Sequence, residues 1–293
     1  MHHSPCLRSQ QSLGRPAVVT GRGYWSGRDI RVDLHPAPAG TGVVFVRGDL
    51  DPPVRIAATL ESRVDAVSRT NLVASGARLE MVEHLLSALA GLQIDCCLIR
   101  VGAEEMPGLD GSAQAFVAAI DAAGIEDLAV PVDPIVVRET VRVGTNDSWI
   151  EAAPPRFSGL SIDYVLDYGP GPIGRQEFSL QVTPALYRQE LASARTFISV
   201  ADADRLRAAG LGLSVSPQDL VLFGPDGPVE NKLRWPDECV RHKVLDLVGD
   251  LALAGRPLHA HVTACRSGHR LNAELAGRLL AGGEAGQRLR VPA

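Results

Sequence analysis

The chain of 293 residues has no apolar run of roughly 18 residues, the length that a membrane-spanning helix needs. Its opening segment, MHHSPCLRSQQSLGRP, also lacks the apolar stretch of a secretory leader. Neither export nor membrane insertion is expected. Clustered positive charge is missing as well: 34 Asp and Glu outnumber 29 Lys and Arg, for a net charge of -5. That balance argues against a nucleic-acid backbone as partner. The five cysteines, Cys6, Cys96, Cys97, Cys239 and Cys265, are odd in number and form no CxxC pair. Neither a disulfide framework nor a cysteine-ligated zinc is indicated, and a reducing, cytoplasmic setting fits. No sequence repeat links the two halves of the chain.

What is present is the profile of a globular protein, 45% hydrophobic and 22% charged, long enough for one large or two ordinary domains. Short alternating runs such as IRVDLHP and GVVFVRG read as strands, and a helical pattern follows over residues 79 to 92. Leu98 to Val101 reads as another strand, and SAQAFVAAIDAAG as a helix that stops at Gly124. The two prolines of AVPVDP, residues 129 to 134, mark a linker. Beyond it come a hairpin around Asn146-Asp147, strands near LSIDYVL and QEFSLQV, and helices from Pro184 and from Ala201 to Ala209. A long helix over residues 237 to 254 and a last strand, LHAHVTAC, complete the pattern. The expected organisation is a tail over 1–14, an α+β domain over 15–130, a second over 135–283, and a tail over 284–293. Each domain is expected as a mostly antiparallel sheet layered with helices.

Two segments carry the chemistry: Glu83-His84 in LEMVEHLLSALAG, and His242-Lys243 with Asp246 in ECVRHKVLDLVGD. Val240, Val244, Leu247 and Leu251 form one apolar stripe, which places His242 and Asp246 on the opposite side of that helix. Four residues apart, they are surface neighbours able to grip one ion. An HxxxD pair alone is more often a solvated pair, and a lone His84 is more often a satisfied core histidine. Together the segments hold the parts of a hydrolytic zinc site: imidazoles, a ligand carboxylate, and Glu83 beside a ligand as a base. His269 in CRSGHRLN sits on a glycine-flanked turn, suited to presenting a side chain into a cleft. The alternating His259 and His261 read as solvent-facing and receive no role.

Taken together, VEHLLSALAGLQID, EMPGLDGSAQAFV, ARTF, VRHKVLDLVGDLALAGRP and SGHRLNAEL resemble the zinc-dependent UDP-3-O-acyl-N-acetylglucosamine deacetylases, which act at the committed step of lipid A synthesis. The similarity spans roughly residues 15 to 280. It implies a two-domain α+β fold with the active site at the domain interface. It also implies zinc, or iron(II), on His84, His242 and Asp246, with Glu83 as general base and His269 as proton donor to the leaving amine. Lys243 is implied to bind and polarise the reacting centre, Thr196 to donate to the oxyanion, and Phe197 to lie near the substrate. The implied partner is a UDP-linked acylated amino sugar, handled by a monomer. The alternatives are a zinc deacetylase of another acetylated amino sugar, or a relative that binds without catalysing.

The chain departs from the family text in three places. GRGYWSG stands where GVGLHSG is common, putting Trp25 in place of a histidine. Ser214-Val215 replaces a glycine pair in the region that shapes the family's acyl passage. Val229 to Leu233 replaces an LNEDG-like stretch.

Overall fold

The computed structural model describes residues 8–288, with side chains described to residue 282. Cys6 and the outermost residues of both expected tails lie outside that range. Six α-helices are described: α1 (Glu83–Gly91), α2 (Gln114–Ala123), the single turn α3 (Pro184–Leu186), α4 (Val200–Ala208), α5 (Glu238–Leu251) and α6 (His269–Arg288). They pack against mostly antiparallel sheets, so the α+β expectation holds.

The two large sheets repeat one topology that the sequence conceals. In the first half, strand Ala17–Arg22 pairs antiparallel with Asp29–Pro36, which pairs antiparallel with Cys97–Val101. Cys97–Val101 then runs parallel to Val43–Arg47, whose other edge is the antiparallel Val54–Ala57. The second half follows the same order: Val141–Gly144, Trp149–Ala153, Leu258–Cys265, Leu160–Asp167, Arg175–Gln181, again with the third and fourth strands parallel. In both halves the strand inserted at the centre follows a long helix, α1 in one and α5 in the other. Only burial pattern and topology are shared, so side-chain identity reveals no repeat.

Those two helices lie against each other. Each is therefore buried nearly all round: eight of the nine residues of α1 and twelve of the fourteen of α5 are buried. A helix that is enclosed on every side needs a partner for each polar group it carries. Ser87 of α1 meets this by donating to the Leu245 carbonyl of α5 at 2.7 Å. Gly249 permits the contact, because a Cβ there would sit 2.1 Å from the Glu83 carbonyl oxygen.

Several boundaries differ from the sequence expectation. The helical pattern over 79–92 resolves into strand Ala77–Glu80, a break at Met81 with φ +62°, and α1. Hydrogen bonds of Ala77–Glu80 to Asn71–Ala74 hold its first residues extended, which local periodicity cannot reveal. Ser9–Leu13, expected in the N-terminal tail, forms a strand paired with Ile125–Pro131, which takes up part of the expected linker. Helix α6 carries the chain past residue 284, where the second tail was expected. His261 is also not solvent-facing: it is 4% exposed, with Nδ1 2.9 Å from Ser161 Oγ and Nε2 3.1 Å from Asp163.

Candidate active site

The break at Met81 turns the chain so that α1 begins with Glu83 and His84 at the end that meets the middle of α5. On α5, His242 and Asp246 share one face by their spacing of four. The structure brings the three expected ligands together: His84, His242 and Asp246 each offer a ligand atom, all within 4.8 Å of one another. Asp246 Oδ1 lies 3.3 Å from His242 Nε2 and 3.7 Å from His84 Nε2. The imidazoles meet nearly edge to face, with ring centres 5.1 Å apart. None of the three is solvated, their exposures being 6%, 1% and 3%.

Their hydrogen bonds point to an ion. His242 Nδ1 lies 3.1 Å from the Ala194 carbonyl, which can only accept, so the proton sits on Nδ1 and the Nε2 lone pair is free. Burial pushes the His242 pKa down to about 3 and lowers that of His84, keeping both rings neutral, as metal ligands must be. Burial works against charge on Asp246, yet the Lys243 ammonium and the His269 imidazolium beside it outweigh burial and hold its carboxyl below the ordinary range. One of its oxygens takes the Lys243 ammonium at 2.6 Å, while Oδ1 is buried without a hydrogen-bond partner. A buried carboxylate oxygen left bare beside two neutral imidazoles is the donor set of a divalent cation.

Two titratable groups flank this cluster and are driven in opposite directions. Glu83 is 3% exposed and accepts from the Thr70 backbone N–H at 3.0 Å. Burial, reinforced by Asp246 and only partly opposed by His269, raises its carboxyl to about 7. His269, the first residue of α6, lies with Nε2 4.0 Å from Asp246 and Nδ1 2.9 Å from Asp250. Burial alone would lower it, but Asp250 more than compensates and the pKa rises to about 9. A carboxylate near neutrality and an imidazolium that persists above it are matched as base and acid.

Lys243, Thr196 and Phe197 line the same cleft, a cavity of about 1040 Å³ bounded by residues of both halves. Thr196 is fixed through its backbone, donating to the Gly111 carbonyl at 2.7 Å and accepting from Val221 N at 2.9 Å. Beside it, Arg195 is buried against Glu238 through bonds of 2.8 and 3.0 Å. The Phe197 ring stands edge-on to Tyr168, Phe223 and His242. An apolar slot opens beside the cleft, walled by Tyr24, Trp25, Leu206, Leu211, Val215 and Leu222.

Sequence reasoning missed two residues of this site. Asp250 is fully buried and receives Thr70 Oγ at 2.5 Å, Asn272 Nδ2 at 2.8 Å and His269. Its signal was available, since His242, Asp246 and Asp250 recur every four residues on one helix face. Thr70, which serves both Glu83 and Asp250, precedes α1 by a whole hairpin and carries no local signature.

A family model described as UDP-3-O-acyl N-acetylglycosamine deacetylase matches residues 10–281. The chain is similar to a UDP-3-O-acyl-N-acetylglucosamine deacetylase of Myxococcus xanthus (strain DK1622), 37% identical over 282 residues that make up 94% of this chain and 88% of the relative. A protein of the same name from Brucella ovis is 38% identical over 274 residues, 92% of this chain and 95% of that one. With the family pattern running through both halves and the cleft between them, the chain belongs to the UDP-3-O-acyl N-acetylglycosamine deacetylase family.

Proposed function

We propose that this protein removes the N-acetyl group from UDP-3-O-acyl-N-acetylglucosamine, releasing acetate, at the committed step of lipid A synthesis. The observation that carries the reading is the bare, buried Asp246 Oδ1 beside two neutral imidazoles, with Glu83 on one side and His269 on the other. His84, His242 and Asp246 are the residues that would hold the metal, and two nitrogens with one carboxylate suit zinc, while the same set accepts iron(II). Lewis acidity is what a divalent cation supplies there, polarising the acetamide carbonyl and bringing the acidity of water towards neutrality.

The side chains then divide the proton transfers. Glu83, oriented by the Thr70 N–H, takes the proton of the attacking water. Thr196 donates its hydroxyl to the oxyanion that develops on the carbonyl oxygen, and Lys243 adds positive charge on the same side. His269, kept protonated by Asp250, delivers its proton to the amide nitrogen, and the C–N bond breaks to give acetate and the free amine. Phe197 walls the cleft beside His242, and the apolar slot receives the 3-O-acyl chain.

We take the protein to act as a monomer. The separate sheets support two units, 15–130 and 135–283, with the cleft between them. No described helix is long and apolar enough to cross a membrane, and the four described cysteines are free thiols, which supports a cytoplasmic location. The deciding assay strips the purified protein of metal, reloads zinc, and follows acetate release from the UDP-linked substrate. Zinc-restored release is expected. The reading fails if the reloaded protein releases no acetate.

A further inference from the structure

Glu83 begins α1 and His269 begins α6, and one buried residue reaches towards both. Thr70 has no solvent exposure. Its N–H donates to Glu83 Oε2 at 3.0 Å, its carbonyl accepts from Val82 N at 3.2 Å, and its hydroxyl donates to Asp250 Oδ1 at 2.5 Å. The same hydroxyl lies 3.3 Å from His269 Nδ1.

The two backbone bonds belong to the first half of the molecule. Thr70 immediately precedes strand Asn71–Ala74, whose hairpin with Ala77–Glu80 leads into α1, so Thr70 and the Val82-Glu83 entry to that helix form one frame. The hydroxyl bond crosses to the second half, because Asp250 lies on α5. Asp250 is itself fixed: its other oxygen accepts from Asn272 Nδ2 at 2.8 Å, and Ser267 Oγ donates to Asn272 Oδ1 at 2.9 Å. A hydroxyl donating to a buried carboxylate makes a charge-assisted bond, shorter and stronger than a neutral one. Through it the frame that carries the base is pinned to the group that orients the acid.

We propose that Thr70 is a positioning residue that sets the spacing of base and acid, its backbone holding Glu83 and its hydroxyl holding Asp250 and, through it, His269. The inference rests on the deacetylase reading above and deepens it. Thr70 exchanges no proton with the substrate. Its contribution is geometric, since the base must reach the attacking water and the acid the amide nitrogen in one substrate pose, and misplacement by about 1 Å is worth roughly 10²-fold in rate. Substrate binding does not need that register, so the loss falls on kcat and not on KM.

The test compares Thr70→Val, which keeps the shape of the side chain and deletes the hydroxyl, with Thr70→Ser, which keeps the hydroxyl. At equal bound zinc, Thr70→Val is expected to lose roughly 10–100-fold in kcat at unchanged KM, and Thr70→Ser to recover most of that loss. Wild-type kcat in Thr70→Val, an effect on KM alone, or a serine variant as slow as the valine one overturns the proposal. Double-mutant cycles separate positioning from packing. The cost of Thr70→Val should shrink when either Asp250→Asn or Glu83→Gln is already present, because a group being positioned has then gone. An equal fold loss in all three backgrounds, or coupling to one partner alone, overturns the proposal. Crystal structures of wild type and Thr70→Val give a readout independent of substrate: Glu83 is expected to part from the N–H of residue 70 in the variant, and an unmoved Glu83 overturns the proposal while leaving the deacetylase reading intact. Acetate release absent in zinc-loaded wild type removes that reading and this inference with it.

Discussion

Asp250 and His269 form a buried pair, Oδ2 to Nδ1 at 2.9 Å, in which the carboxylate has no exposure and the imidazole 8%. Because Nδ1 faces Asp250, Nε2 is the nitrogen left towards Asp246 and the cleft. The pair thus fixes both where the acid points and how long it stays charged.

Asp250→Asn separates those effects. Asp250 overcomes the burial that would otherwise depress His269, raising it to about 9. Without the carboxylate, burial is opposed only by Asp246 and Glu83, and the folded-state pKa falls. His269 acts in its protonated form, so activity is lost at lower pH than in the wild type. The descending limb of the kcat/KM profile moves down in pH while bound metal stays unchanged. An unmoved limb would mean that another group carries the proton.

Glu83 and Asp246 are both buried carboxylates, yet they are expected to fail differently. Asp246→Ala removes the oxygen facing both imidazoles and should leave little bound zinc on elemental analysis. Glu83→Gln should retain zinc and lose roughly 10²–10⁴-fold in kcat, the range for a lost general base. Equal zinc loss in the two variants would contradict this division of roles.

Thr196→Ala should lower kcat by roughly 10²–10³-fold, as removal of one oxyanion donor does, with zinc content and melting temperature held. The backbone bonds that fix Thr196 survive the substitution, which removes the hydroxyl together with one methyl group. A change confined to KM would place Thr196 in ground-state binding.

The site was more legible in the chain than the fold that builds it. Glu83-His84 and His242-Lys243-Val244-Leu245-Asp246 are each contiguous on a helix, so spacing alone put their side chains on usable faces. Thr70 was invisible because its role depends on the chain returning beside α1, a tertiary fact. The strand Ala77–Glu80 was absorbed into a helical pattern because its neighbour Asn71–Ala74, and not its own periodicity, keeps it extended. The duplicated topology escaped for a related reason: pairing order survives when side chains diverge. His261 looked like half of a solvated pair until Ser161 and Asp163 were seen to enclose it.

Arg195 and Glu238 form a charge pair with exposures of 5% and 0%. Glu238 also accepts from the Arg195 and Arg234 backbone N–H groups, at 3.1 and 2.6 Å. Glu238→Ala strands a buried guanidinium, for which about 3–5 kcal/mol of stability is the usual loss. Urea denaturation should show that drop. The double variant Arg195→Met with Glu238→Leu should lose less, because it leaves no unpaired charge.

Gly249→Ala tests whether the helix contact positions the base. The added Cβ would meet the Glu83 carbonyl oxygen at 2.1 Å and the Ser87 nitrogen at 3.1 Å, both backbone atoms of α1, so α1 must retreat from α5. Overpacking of this kind costs about 1–3 kcal/mol. A shift of Glu83 and His84 relative to His242 and Asp246 reaches the chemistry too, where misplacement by about 1 Å is worth roughly 10²-fold in rate. Zinc affinity and kcat should therefore fall together in Gly249→Ala, in contrast to Glu83→Gln, which keeps its zinc. Normal affinity and rate in a correctly folded Gly249→Ala protein would show that α1 accommodates the methyl without moving the ligand set.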